Sequence, residues 1–172
     1  MLPEIVSAAA QKFSTRPVVI PPTGPSLSYS ALDQASDEIA VGFLRRGLVE
    51  GSVLLLSLPS GISYLLAYLA AAKVGAITAG ANPRLRGRER AAIAQAIEPD
   101  LVLATEALVD GLPDDLNLDL ISTSDTVDRS LSKYRQQGER PLKLHDDINR
   151  PVCICFTSGT TGEPKGAMFT NR

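Results

Sequence analysis

Residues 53–79, VLLLSLPSGISYLLAYLAAAKVGAITA, contain two short apolar runs on either side of a longer, alanine-rich run. Residues 53–58 form a continuous apolar run of strand length, and residues 76–79 are a second candidate strand. Between them, residues 62–74 predict a buried helix and not a membrane span, because Lys73 interrupts the apolar run. A strand, a helix and a strand in succession are typical of an α/β domain with a largely parallel sheet.

The same alternation continues along the rest of the chain. Further helices are predicted over residues 2–13, 30–46 and 87–97, and further strands over residues 18–20, 27–29, 101–104, 118–121 and 152–156. Residues 105–131 are less regular and predict a surface excursion, and residues 140–150 predict a polar loop. The predicted fold class is therefore α/β, with helices flanking a mostly parallel sheet.

The second predicted helix has clear end signals. Ser30 is the expected N-cap, and Gly47 is expected to stop the helix after Arg46. Its buried face is expected to carry four apolar side chains, Leu32, Ile39, Phe43 and Leu44.

Composition narrows the classes of function. The 172 residues carry a net charge of −2 at pH 7. The chain therefore has no basic field of the kind that attracts nucleic acid, and no nucleic-acid partner is expected. The first residues lack a basic segment before an apolar run, which disfavours a secretory signal peptide. The expected location is cytoplasmic, with no membrane span.

Cys153 and Cys155 lie two residues apart in the last predicted strand, where strand geometry directs both side chains to one face. Two thiols without histidine or carboxylate neighbours are poor ligands for a metal. The expectation is two small, buried side chains in a reducing compartment.

The most suggestive chemistry follows that strand directly, in residues 156–166, FTSGTTGEPKG. Three glycines allow backbone N–H groups to converge on an anion, four hydroxyl side chains add donors, and Lys165 supplies a positive charge. These groups favour a polyphosphate, and the alternative is a plain surface turn. A Walker loop is disfavoured because Lys165 lies between Pro164 and Gly166. The spacing also fails the dinucleotide-binding pattern.

The segment FTSGTTGEPKG resembles the phosphate-loop signature of the adenylate-forming (AMP-binding) superfamily, in a long and nearly ungapped match. Two shorter resemblances precede it in the expected order. LSYSAL at residues 27–32 is similar to the early LTYxEL segment of the superfamily. YLAAAKVGA at residues 68–76 and NPRL at residues 82–85 are similar to its next segment. The NPRL form is similar to the acyl-CoA synthetase and 4-coumarate–CoA ligase branch.

This resemblance implies a reaction in two steps. A carboxylic acid attacks the α-phosphate of ATP to give an acyl-adenylate and pyrophosphate, and a thiol such as CoA then displaces AMP. The implied cofactors and partners are ATP, Mg²⁺, CoA and a carboxylic acid. The implied ATP-binding residues are Thr157, Ser158, Gly159, Thr160, Thr161, Gly162 and Lys165. Thr160 or Thr161 would lie near Mg²⁺, and Pro164 and Gly166 would fix the exit of the loop.

The resemblance also gives an expected domain organisation. Residues 1–172 would be the N-terminal, incomplete part of an AMP-binding large domain, with the small C-terminal domain absent. The superfamily's YGxTE segment, TGD segment and catalytic lysine have no counterpart here, and Asn171-Arg172 stands where many ligases have His-Arg. We therefore expect no catalytic residue within this chain and no ligase activity from it alone.

Two other readings stay open at this stage. The chain could be a noncatalytic nucleotide-binding or interaction module derived from the superfamily. It could also fail to fold stably without further layers over its apolar sheet.

Three other groups have plainer interpretations. His145, in a polar loop, is expected to be a solvated surface residue and not a catalytic base. The basic cluster of Arg84, Arg86, Arg88 and Arg90 is expected to form a solvated helix entry. The pair Asp114-Asp115 is expected to form a turn and not a calcium site.

Overall fold

The computed structural model describes residues 1–22, 24–122, 129, 131–157 and 165–172. In these ranges, helices and short strands alternate as predicted. The helices are α1 (Leu2–Phe13), α2 (Tyr29–Arg45), α3 (Ile62–Val74) and α4 (Gly87–Ile97). The strands are β1 (Pro17–Val19), β2 (Leu27–Ser28), β3 (Val53–Ser57), β4 (Ile77–Gly80), β5 (Leu101–Ala104), β6 (Leu118–Leu120), β7 (Pro151–Thr157) and β8 (Lys165–Thr170).

One central sheet organises the structure, with described strands in the order β6-β5-β3-β4-β7-β8. The neighbours from β6 to β7 are parallel, and β8 runs antiparallel to β7 at the edge. The predicted α/β fold with a mostly parallel sheet is thereby confirmed. Because parallel strands end at a common edge, the carboxyl ends of β3, β4, β5 and β7 lie side by side.

Both faces of the sheet are covered by apolar layers. Side chains alternate along a strand, so Leu54 and Leu56 point into the larger core with α2 and α3, whereas Leu55 points to the opposite side. There it packs with Ile93 and Ala94 of α4. Burial on both faces explains why β3 is a continuous apolar run without polar alternation.

The N-cap of α2 lies two residues before the predicted N-cap, Ser30. The Ala31 amide donates to the Ser28 hydroxyl at 3.2 Å, so Ser28 and not Ser30 caps the helix. This cap stabilises a helix by about 1 kcal/mol. Leu32, Ile39 and Phe43 are buried as predicted, but Leu44 is 39% exposed, so its assignment to the buried face was wrong.

The segment after β5 contributes to the core, so the predicted surface excursion over residues 105–131 was wrong at three of the described positions. Leu112 is buried in the smaller core. Ile121 and Leu131 are both buried in the larger core, alongside Tyr134. The Ile121 amide also donates to the Ala104 carbonyl at 2.8 Å. This hydrogen bond extends the pairing of β6 with β5.

The described helices include none that is both long enough and apolar enough to cross a membrane.

Candidate functional site

The candidate phosphate loop begins and ends on paired strand residues. Thr157 is the last residue of β7, Lys165 is the first residue of β8, and the two are register partners. The Thr157 hydroxyl faces the Lys165 carbonyl oxygen at 3.5 Å, the outer limit of a hydrogen bond. The two ends of the loop are therefore held together at the carboxyl edge of the sheet, where open α/β sheets bind their ligands.

Thr157 and Lys165 are the two predicted ATP-binding residues that the structure describes, and both are exposed. Ser158, Gly159, Thr160, Thr161 and Gly162, like Pro164, lie outside the described residues. Among the described acidic side chains, none forms an ion pair with Lys165. Its ammonium group is therefore not neutralised by a described carboxylate.

Gly166 has a packing reason to be glycine at the exit of the loop. It pairs with Phe156 across the two strands. A Cβ atom at Gly166 would lie 2.8 Å from Cγ2 of Ile154, closer than Cβ atoms normally approach, and 3.1 Å from Cε1 of Phe156, a tight contact that requires a small shift. The absence of a side chain at Gly166 leaves room for Ile154 and Phe156 of β7 where β8 begins.

The neighbouring strand β4 ends at the same edge, against a tyrosine of α3. A Cβ atom at Gly80 would lie 2.5 Å from the hydroxyl oxygen of Tyr64, so this hydroxyl sits directly on the end of β4. Burial, with smaller effects from Cys155 and Cys153, raises the pKa of Tyr64, which keeps the phenol neutral. Nothing in the spacing of the sequence indicated this contact, because it joins a helix to a strand end through packing alone.

The basic cluster after β4 divides into exposed and buried members. Arg84, Arg86 and Arg88 are exposed, as expected for a solvated helix entry. Arg90 is buried and donates from Nε to the Asp110 carbonyl at 3.0 Å, so the expectation was wrong for this residue. It also donates to the Leu85 carbonyl, which fixes the loop leading into α4.

The amino edge of the sheet, opposite the loop, contains His145 and a cavity. His145 is exposed, and its carbonyl accepts from Nη2 of Arg150 at 2.9 Å. The cavity has a volume of about 420 Å³ and is lined by Lys73, Arg140 and Arg150 among others. Because it adjoins the start of β7, it is separate from the candidate phosphate site.

The cysteines differ from their expected environment. Both lie on β7, but Cys153 is half-buried and Cys155 is exposed. The prediction of two buried side chains was therefore wrong for Cys155, and Cys153 is only partly buried. The reason is the position of β7 next to the edge strand, where the layer of helices covers the sheet less completely.

Comparison of the sequence with known proteins identifies relatives among ligases. The profile of the family described as AMP-binding enzyme matches residues 6–172. The chain is 31% identical to 4-coumarate–CoA ligase 4 of Arabidopsis thaliana, over 92% of this chain and 30% of that protein. It is 30% identical to 4-coumarate–CoA ligase 5 of Oryza sativa subsp. japonica, over 87% of this chain and 29% of that protein. The chain thus spans about three-tenths of the length of these curated relatives.

Solved structures share the fold at lower identity. The N-terminal domain of FACL13 from Mycobacterium tuberculosis superposes with a TM-score of 0.85 at 20% identity, over 99% of this chain and 44% of that chain. The NpsA N-terminal subdomain of Klebsiella oxytoca gives a TM-score of 0.84 at 18% identity, over 98% of this chain and 41% of that chain. With the family profile matching nearly the whole sequence, the chain belongs to the AMP-binding enzyme family.

Proposed function

We propose that this chain supplies the ATP-phosphate-binding part of an ATP-dependent acid–thiol ligase, which forms an acyl-adenylate and then an acyl-CoA. The support is membership of the AMP-binding enzyme family together with the similarity to proteins named 4-coumarate–CoA ligases. Because the chain spans about three-tenths of those relatives, the complete reaction is proposed for an enzyme that includes this segment.

One observation carries the proposal. The segment between Thr157 and Lys165 leaves and rejoins the sheet at paired residues on its carboxyl edge. A lysine without a described carboxylate partner, next to an exposed threonine hydroxyl, suits a polyphosphate, because both groups donate to phosphate oxygens.

We assign to this site the electrostatic stabilisation of the ATP phosphates. A carboxylate that attacks the α-phosphate of ATP approaches a polyanion, so the repulsion between them must be offset by fixed donors and cations. We assign Thr157, Ser158, Gly159, Thr160, Thr161 and Gly162 to hydrogen bonding of the β- and γ-phosphates. Lys165 would neutralise phosphate charge, and bound Mg²⁺ near Thr160 or Thr161 would supply further neutralisation.

In such an enzyme, residues 1–172 would bind ATP phosphates, and the catalytic residues would lie in the rest of the protein. Residues 1–172 would form the N-terminal part of the large domain and contain no catalytic residue. The isolated chain would bind ATP but would not form the acyl-adenylate. The identity of the acid is not part of the proposal, and the cytoplasmic location and the lack of nucleic-acid partners stay predictions.

Two measurements on the 172-residue chain test this proposal. Isothermal titration with MgATP measures binding, and exchange of labelled pyrophosphate into ATP, driven by a panel of aliphatic and aromatic carboxylic acids, measures adenylation. We expect saturable binding without exchange. The same exchange assay on a version extended by the remainder of its reading frame should then show acid-dependent activity.

The outcomes separate the alternatives. Exchange by the isolated chain that disappears in Lys165→Ala would show that the segment is catalytically sufficient, contrary to the proposal. Binding without exchange by the extended protein, for every acid, would favour a noncatalytic nucleotide-binding module. A folded chain that does not bind MgATP would exclude both the proposed ATP-binding role and the noncatalytic nucleotide-binding module.

A further inference from the structure

The cavity at the amino edge of the sheet is enclosed mainly by three parts of the chain. Helix α1 supplies one side, residues 72–76 at the end of α3 supply the second, and residues 140–152 supply the third. Its volume of about 420 Å³ lies within the range of small-molecule binding sites. The proposed ATP site lies at the opposite edge of the sheet, so it does not account for this cavity.

The third wall of the cavity is fixed in place, although residues 140–150 lie outside helices and strands. Nη2 of Arg150 donates to the His145 carbonyl at 2.9 Å and so closes this segment on itself. Leu144 packs on the end of α3, where a Cβ atom at Gly75 would lie 3.2 Å from Cδ1 of Leu144. The cavity is therefore already formed in the ligand-free chain, as is usual for small-molecule sites.

The lining is richer in cations than in acids. Four cationic and two acidic side chains line the cavity, namely Lys73, Arg140, Lys143 and Arg150, and Glu4 and Asp37. The acids are held in short ion pairs, Glu4 with the Met1 ammonium at 3.1 Å and Asp37 with Lys73 at 2.6 Å. Lys143 is exposed, and its ion pairs are longer, at 3.6 and 3.8 Å. Exposed pairs of this kind contribute little, so Lys143 is available to an anion in the cavity.

Arg150 provides a fixed donor to the same cavity. Its side chain is only 5% exposed. Nε donates to Glu50 at 2.8 Å and Nη2 donates to the His145 carbonyl, whereas Nη1 donates to the sulfur of Met1 at 3.5 Å. A thioether is a weak acceptor, so a carboxylate would be a much stronger partner for Nη1.

Much of the remaining lining is apolar. It includes Ala8, Ala76, Leu142, Leu144 and Val152. Leu142 is 90% exposed, so the apolar part of a ligand could cover much of its surface and remove it from water. The cavity thus combines cationic donors with apolar walls.

We propose that this cavity binds a small amphipathic anion, a molecule with one carboxylate group and an apolar body. The carboxylate accepts from Nη1 of Arg150 and attracts Lys143, and the apolar body lies against the alanine and leucine side chains. This inference does not depend on the proposed ligase function, because the cavity and the ATP site lie at opposite edges of the sheet.

Titration calorimetry of the 172-residue chain with octanoate, octylammonium, octan-1-ol and acetate tests the proposal. Octanoate should bind at one site per chain, with a Kd of the order of 0.1 mM. Octan-1-ol lacks the charge and acetate lacks the apolar body, so each should bind at least about tenfold more weakly. Octylammonium should not bind detectably, because cations predominate in the lining.

Two substitutions on α1 test the location of the site. Ala8→Phe fills the cavity from an exposed position, so the chain should fold and octanoate binding should be lost. Ile5→Phe is the matched control, because Ile5 is an exposed residue of the same helix outside the lining, and binding should be unchanged. Circular dichroism checks that each variant folds.

Two further substitutions test the charged contacts. Arg150→Lys keeps the positive charge but removes the guanidinium donor, and it should weaken octanoate binding about tenfold. Lys143→Gln removes an exposed charge and should weaken binding about threefold. Amide chemical-shift mapping of the wild-type chain should place octanoate against α1 and residues 140–152.

Several outcomes would overturn the proposal. One is equal binding of octylammonium and octanoate, and another is undiminished octanoate binding by a folded Ala8→Phe chain. Chemical shifts centred on Thr157 and Lys165, or displacement of octanoate by MgATP, would place the anion at the opposite edge of the sheet. A folded wild-type chain that shows no saturation at millimolar octanoate would also contradict the site.

Discussion

The ammonium nitrogen of Lys73 lies 2.6 Å from Oδ1 of Asp37, inside the contact between α3 and α2. The same nitrogen lies 2.7 Å from Oδ1 of Asp33 and donates to the Asp33 carbonyl at 2.9 Å. All three side chains are at most one-tenth exposed. One buried cation therefore joins two acidic residues that occupy successive turns of α2.

Replacement of Lys73 should strongly destabilise the fold. Lys73→Met leaves the buried carboxylate of Asp33 without its cation and leaves Asp37 with only the exposed Arg140 at 3.4 Å. Loss of one partner of a buried ion pair typically costs about 3–5 kcal/mol. Urea unfolding followed by circular dichroism measures the change in the free energy of unfolding. Lys143→Met is the control, because its ion pairs are exposed and such pairs contribute at most about 1 kcal/mol. Equal costs for the two variants would contradict this account of the α2–α3 contact.

Gly42→Ala should also destabilise the chain, although alanine is the better helix former by about 1 kcal/mol. A Cβ atom at Gly42 would lie 2.0 Å from the carbonyl oxygen of Tyr134, so the segment after residue 131 must move away from α2. We expect a net cost of about 1–3 kcal/mol, the range for overpacked sites, from the same urea unfolding. Gly61→Ala, where no atom lies within 4 Å of the new Cβ, should cost less than about 1 kcal/mol. A stabilised Gly42→Ala chain would show that this contact is not made in solution.

Stability should fall on acidification partly through Glu38. Burial alone would raise the pKa of its carboxyl, but hydrogen bonds from the Gly138 amide, Gln34 and Arg135 outweigh burial and lower it below the ordinary 4.5. A carboxyl whose pKa is lower in the folded state stabilises the fold above its unfolded pKa, and that contribution is lost as pH falls through the folded value. Glu38→Gln should therefore flatten the dependence of unfolding free energy on pH below about 4.5.

The control for this pH dependence is Glu139→Gln, which removes an exposed carboxylate paired with Arg45 on the surface. Urea unfolding at a series of acidic pH values compares the two variants with the wild type. An unchanged slope in Glu38→Gln, or the same flattening in both variants, would exclude the hydrogen-bonded carboxylate of Glu38 as a source of the pH dependence.

Gly166→Ala should weaken the join between β7 and β8. The added Cβ would contact Ile154 and Phe156, and the expected cost is about 1–3 kcal/mol. Ile154→Ala removes the nearest of these atoms, so the double variant should lose less stability than the sum of the single changes. A double-mutant cycle measured by urea unfolding gives that coupling energy directly. Strict additivity would mean that the two residues do not touch.

Much of the fold was predictable because, at the centre of the sheet, the apolar runs in the sequence coincide with the residues that are buried in the structure. Continuous apolar runs at β3 and β5 and alanine-rich helices such as α3 are typical of a parallel sheet covered on both faces. The predicted bounds of α1, α3 and α4 are confirmed. Strand β8 had no such signal, because every one of its residues is exposed and only its pairing with β7 makes it a strand.

Long-range contacts explain the remaining differences between the sequence-based predictions and the structure. Arg90 belongs to a basic cluster in the sequence, but the carbonyl groups of Leu85 and Asp110 provide it with a buried site. Ile121 and Leu131 lie in polar surroundings in the sequence and are nevertheless buried in the larger core. At the candidate site, the motif predicted Thr157 and Lys165, whereas the position of Tyr64 against β4 depends on packing that no local pattern records.

The most direct test of the central claim, that the segment from Thr157 to Lys165 binds ATP phosphates, is titration calorimetry of Lys165→Ala with MgATP and with adenosine. Loss of a charge-assisted contact to phosphate should weaken MgATP binding by about 10–100-fold. Adenosine, which has no phosphate, should bind the variant and the wild type equally. Lys143→Ala, on the exposed loop at the opposite edge, should leave both affinities unchanged. Wild-type affinity for MgATP in Lys165→Ala, or an equal loss in Lys143→Ala, would contradict the assignment of this loop to ATP.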